Sequence, residues 1–169
     1  MPRTRAGKQL STALLSIDPT TKRPAWHGAP TYLGLMRGVT PQHALFRPAP
    51  GMNCIREIAL HIAFWENSVA NRLAGTSHRL PFAQRKTGTP QPVSVLPPAQ
   101  WKQEVSLMVT AHERLVDAVR TLAPERLDQP ADPRTGRIAS EMIHGVAEHT
   151  LYHTGQIKML KKLAKAASR

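Results

Sequence analysis

Glu148-His149-Thr150-Leu151-Tyr152-His153-Thr154-Gly155-Gln156-Ile157 is the stretch on which the reading of this chain turns. Two histidines four residues apart on a helix are separated by a rise of about 6 Å and by about 40° of turn. Both imidazoles can therefore reach one metal ion, the usual use of such a pair. Met142, Val146, Ile157, Leu160 and Ala164 recur at helical spacing on the same face as His149 and His153. That periodicity predicts a long amphipathic helix from about residue 137 towards residue 165, with the pair pointing into the protein. A metal site would need a further ligand from elsewhere in the chain.

Working outward, two more long helices are predicted. Asn53 reads as the N-cap of one that ends at Gly75, with Ile58, Ile62, Trp65, Val69 and Leu73 on its apolar face. His61 falls in that same stripe, between Ile58 and Trp65. Another helix starts near Pro98 and ends before Pro124. Its stripe of Trp101, Val105, Met108, His112, Leu115, Val119 and Leu122 alternates four- and three-residue steps, as in bundle packing.

Shorter elements precede them. Leu10, Leu14 and Ile17 give a short helix that Pro19 ends, residues 30–37 a second, and Thr40-Pro41 caps a turn through Phe46. Residues 47–51 form a proline-rich rigid connector, residues 76–98 a long crossover over one end of the domain, and residues 128–135 a further loop. Strand-like alternation and internal repeats are absent. The predicted fold class is all-α: a four-helix bundle with a crossover connection and extra short N-terminal helices.

Composition bounds the function. A chain of 169 residues suits one domain, and with 41% hydrophobic residues and no membrane-length apolar run a soluble protein is expected. Cys54 is the single cysteine, which excludes a disulfide framework and a cysteine-rich zinc site and fits a reducing cytoplasm. Leu14-Leu15 is too short for a secretory apolar core. The formal charge of +12 would suit a nucleic acid or an anionic membrane, but the bases gather at the two ends. Arg3, Arg5 and Lys8 stand at one, and Lys158, Lys161, Lys162, Lys165 and Arg169 at the other. No nucleic-acid module accompanies them, so neither nucleic acid nor membrane is the expected partner.

Three inward histidines from two helices, His61, His149 and His153, can form a facial set on one metal. Three protein ligands leave positions open for chemistry, whereas structural zinc sites are closed by four. Imidazole suits Zn, Ni, Fe or Cu. His112 occupies another inward slot and is read as a core residue or a partner of a ligand. His144, five residues before His149, turns to the opposite side of the helix. His27 lies in a loop and reads as a surface residue, His43 and His78 have no constellation around them, and Cys54 reads as core. Trp65 and Trp101 are expected in the core, where either could also wall a pocket. Acidic residues are too scattered to suggest carboxylate chemistry, and no nucleophilic triad or phosphate loop is present.

Three stretches together are similar to the DinB-like (YfiT-related) metal-binding four-helix-bundle family. They are Ala25-Trp26-His27-Gly28 with the following Gly38-Val39-Thr40-Pro41 and Arg47-Pro48-Ala49-Pro50-Gly51; Glu57 to Glu66 around His61; and His144 to Ile157, where HxxxH is followed by Gly155-Gln156-Ile157. The resemblance covers about residues 25–165 and implies residues 25–169 as the bundle domain, with the basic segment 1–24 and its short helix part of the same domain. It implies a divalent metal, Zn or Ni first and Fe next, held by His61, His149 and His153. Thiol-dependent S-transfer or isomerisation, with a low-molecular-weight thiol, a small-molecule electrophile and a homodimer, is implied as well. No catalytic residue follows from it; His112 and Tyr152 are noted, with Tyr152 facing away from the metal. Metal-dependent hydrolysis and a non-enzymatic, stress-associated metal-binding protein are the competing expectations.

Overall fold

A computed structural model describes residues 31–82 and 87–168. The short helix expected over residues 10–17 and the loop histidine His27 lie outside them. Among the described residues, two short helices come first, α1 (Tyr32–Met36) and α2 (Pro41–Leu45). Three long ones follow: α3 (Ile55–Ala74), α4 (Pro98–Thr121) and α5 (Ala139–Ala167), with a 3₁₀ turn at Pro124–Arg126. The all-α class expected from the periodicity is the one observed. No helix among the described residues is long and apolar enough to cross a membrane.

Local chemistry sets the ends of these helices. Thr31 caps α1 by accepting from the Gly34 N–H at 3.0 Å, and Thr40 caps α2 by accepting from the His43 N–H at 3.2 Å. The start of α3 falls one residue later than Asn53 suggested, with Cys54 at the N-cap position. The capping group is Glu57, whose Oε2 accepts from the Cys54 N–H at 3.1 Å. Both Glu57 oxygens also bind the Arg47 guanidinium, at 2.8 and 2.7 Å, and this fork holds the proline-rich connector against the helix. Gly75 ends α3 at φ 67°, the left-handed conformation that relieves a helix C-terminus. Pro98 opens α4, and Glu141 accepts from the Ile138 N–H at 3.2 Å to open α5.

The contacts fix the helix directions. Arg56 pairs with Glu104, Glu66 with His112, and Asn67 with Arg114, so positions rise together and α3 runs parallel to α4. His61 meets His149 while Glu66 meets Thr150, and Val69 and Leu73 pack in the cluster of Ile143 and Val146, so α5 runs antiparallel to both. A parallel pair cannot be joined by a tight turn, which explains the long crossover between α3 and α4.

Among the described residues, two apolar clusters fill the interior. One joins Tyr32, Leu60, Ile62, Met108, Ile157 and their neighbours; the other joins Val69, Leu73, Leu115, Ile143 and Val146. Between them lies a polar layer, one side chain from each long helix. Glu66 Oε1 sits 3.2 Å from His112 Nδ1 and accepts from the Thr150 hydroxyl at 3.2 Å. All three residues are buried.

Candidate metal centre

His61 leaves α3 on the edge that faces α5, and His149 and His153 leave successive turns of α5 towards it. Nε2 of His149 stands 3.1 Å from Nε2 of His61 and 3.1 Å from Nε2 of His153. The three possible ligand atoms lie within 4.8 Å of one another. Nitrogens about 2.0–2.1 Å from one tetrahedral ion would be about 3.3 Å apart, so this spacing is close to that of a coordination shell. The group could hold a metal ion, and it contains no thiolate or carboxylate. All three rings are half-buried, so one side of the group remains open to solvent.

Burial is the first cause that lowers the pKa of both His61 and His149 from 6.5 to about 4; charge on His153 is the second. Both are therefore neutral at physiological pH, the form in which imidazole binds metal. The same shift acts on the metal-free fold. In the unfolded chain these groups take up protons as pH falls past 6.5, whereas in the folded chain they do so only near 4. The unfolded state binds more protons in that window, so stability is fully present above pH 6.5 and falls progressively towards pH 4. Thermal unfolding in chelator should show this decline, and it should be shallower in His61→Gln. An equal slope in both proteins would contradict the assignment.

The crossover supports the site from outside. Thr89 Oγ1 lies 3.5 Å from His61 Nδ1, and a hydrogen bond with the Thr87 backbone partly offsets the lowered His61 pKa. Between these two threonines, Gly88 has φ 77° and lies so close to α3 that a Cβ would sit 2.2 Å from Phe64 Cδ1. Both the backbone conformation and the packing require glycine. Gly88→Ala is expected to destabilise the fold by about 2–4 kcal/mol, from left-handed strain plus overpacking. Urea unfolding measures this directly, and an unchanged midpoint would refute the close approach.

Other side chains complete the rim. Trp65 is 36% exposed rather than the core residue its stripe suggested. The position opposite it on α5 holds His149 instead of an apolar side chain, so the indole stays at the surface edge, with its ring centroid 6.2 Å from those of both His61 and His149. Tyr152, expected to face away from the metal, is 64% exposed, and its ring lies 4.9 Å from that of His153. His112 lies in the polar layer and does not join the three histidines. His144 is exposed, and Cys54 is buried at the start of α3. His78 joins no metal-ligand group among the described residues; its Nδ1 lies 3.0 Å from Asn67 Oδ1, and Asn67 and Asn71 donate to its backbone carbonyl. Trp101 is buried as expected and donates to the Val39 carbonyl at 2.8 Å. Gln156 was not foreseen as part of the site; its Oε1 lies 2.6 Å from His153 Nδ1.

No curated protein matches the chain. The family model of the DinB superfamily does match, over residues 29–157, a span that includes α1 to α4, the crossover and all three clustered histidines. Most of the chain lies inside that match, and the parallel α3–α4 pair with its crossover lies wholly within it, so the chain belongs to the DinB superfamily.

Proposed function

We propose that His61, His149 and His153 hold one divalent metal ion with open positions, and that the protein uses it to activate a low-molecular-weight thiol for S-transfer to, or isomerisation of, a small electrophile. The observation that carries this reading is the convergence of three Nε2 atoms on one solvent-facing point. An all-imidazole set suits zinc, nickel, iron or copper, and the resemblance puts zinc or nickel first, with iron next. When bound, such an ion lowers the pKa of a coordinated sulfhydryl or water. His61 and His149 enter the site already neutral, so protons do not compete for them near pH 7. Trp65 and Tyr152 offer apolar surface to a substrate at the rim. The net charge of +12 favours an anionic thiol or electrophile. The resemblance supports a homodimer, and the single cysteine fits a reducing cytoplasm.

The test is turnover of a fluorogenic electrophile with a panel of small thiols, before and after chelation. Activity that needs both thiol and metal, and returns when metal is restored, is the expected result. Ester cleavage without thiol would replace this reading with metal-assisted hydrolysis at the same open position. A metal that raises the melting temperature but supports no turnover would make the three histidines a staple rather than a catalyst.

A further inference from the structure

We propose that Gln156 is a positioning residue that fixes the tautomer and aim of His153; the inference rests on the metal reading above. His153 Nδ1 lies 2.6 Å from Gln156 Oε1. An amide oxygen only accepts, so the proton of the neutral ring sits on Nδ1. The bare lone pair is then on Nε2, the atom that stands 3.1 Å from His149 Nε2. Gln156 can do this because it follows His153 by three residues on the same helix, one turn along. Thr154 within this turn and Ile157 just after it are buried, which holds that part of α5 against the core.

The three rings are not held alike. His61 Nδ1 has a looser partner in Thr89 at 3.5 Å, and His149 Nδ1 is buried with no hydrogen-bond partner among the described residues. His153 is thus the ring whose direction is set most tightly by a side chain. The choice of an amide matters too. Gln156 orients His153 without adding negative charge, so a bound ion would keep its full electron-withdrawing power, which a carboxylate in this position would reduce.

Two measurements test the assignment. In the metal-free protein, long-range ¹H–¹⁵N NMR of His153 should show the Nδ1–H tautomer in the wild type and in Gln156→Glu, and a mixture containing Nε2–H in Gln156→Leu. In zinc competition titrations, Gln156→Leu should bind about 10–100-fold more weakly than the wild type. Gln156→Glu, which still accepts from Nδ1, should bind at least as tightly as the wild type. An Nδ1–H tautomer retained in Gln156→Leu would overturn the proposal whatever happens to zinc. Equal weakening in the Leu and Glu variants would also overturn it, because the effect would then be one of packing. A wild type that takes up no zinc would defeat the metal reading, while the tautomer measurement would still decide the role of Gln156.

Discussion

Replacing His149 with alanine is expected to strip the protein of its metal. His149 is the middle member of the group: its Nε2 is 3.1 Å from the Nε2 atoms of both His61 and His153. A four-ligand structural zinc site is worth about 10–16 kcal/mol, so one ligand accounts for roughly 3 kcal/mol, or about a hundredfold or more in affinity. A half-open site that loses one of three ligands is left with too little to survive gel filtration. The folded protein should persist, because the only hydrogen-bonding contacts of the His149 ring among the described residues are to the other two histidines. Elemental analysis of wild type and His149→Ala, purified side by side, is the measurement. Equal metal content in the two would refute the site.

The second large effect lies at a buried ion pair of the interior. Arg56 and Glu104 form a two-pronged ion pair at 2.8 and 2.6 Å, and both residues are about 95% buried. Arg56 Nη1 also donates to the Gln91 carbonyl at 3.1 Å, so the pair ties the crossover to α3 and α4. Glu104→Ala would leave the guanidinium buried with that carbonyl as its remaining acceptor among the described residues, and should cost about 3–5 kcal/mol. Replacing both partners with methionine removes the uncompensated charge and should cost much less, which equilibrium unfolding in urea can compare. A Glu104→Ala protein as stable as the wild type would show that the pair carries no structural weight.

How far the sequence could be read depended on whether the relevant signal was periodic. His61, His149 and His153 were legible because each sits in an apolar stripe of a long helix, and stripes predict which side chains face inward. The long crossover between α3 and α4 was legible as a proline-containing stretch without helical period. The buried acids were not. Glu57, Glu66 and Glu104 read as ordinary polar positions until Arg47, His112 and Arg56 are seen opposite them, across ten, 46 and 48 positions of sequence. Thr87, Gly88 and Thr89 were invisible for a similar reason: a loop has no period, and its purpose here is contact with Phe64 and His61. Trp65 misled because helical spacing reports a face but not what stands across from it. Gln156 was in view as part of Gly155-Gln156-Ile157, yet its role depends on the direction of the His153 ring.

The distance between the ligands along the chain has a consequence for how the protein matures. His61 and His149 are 88 positions apart and come together only after α3, the crossover, α4 and the antiparallel return of α5 are all in place. Closing so long a loop is entropically slow compared with local helix formation. A nascent or partly unfolded chain can carry the His149–His153 pair on an isolated α5, but it cannot present the third nitrogen. On the proposed reading, metal loading would therefore discriminate between finished and unfinished molecules. An ion that bridges α3 and α5 would in turn cross-link the earliest and the last of the three long helices to leave the ribosome.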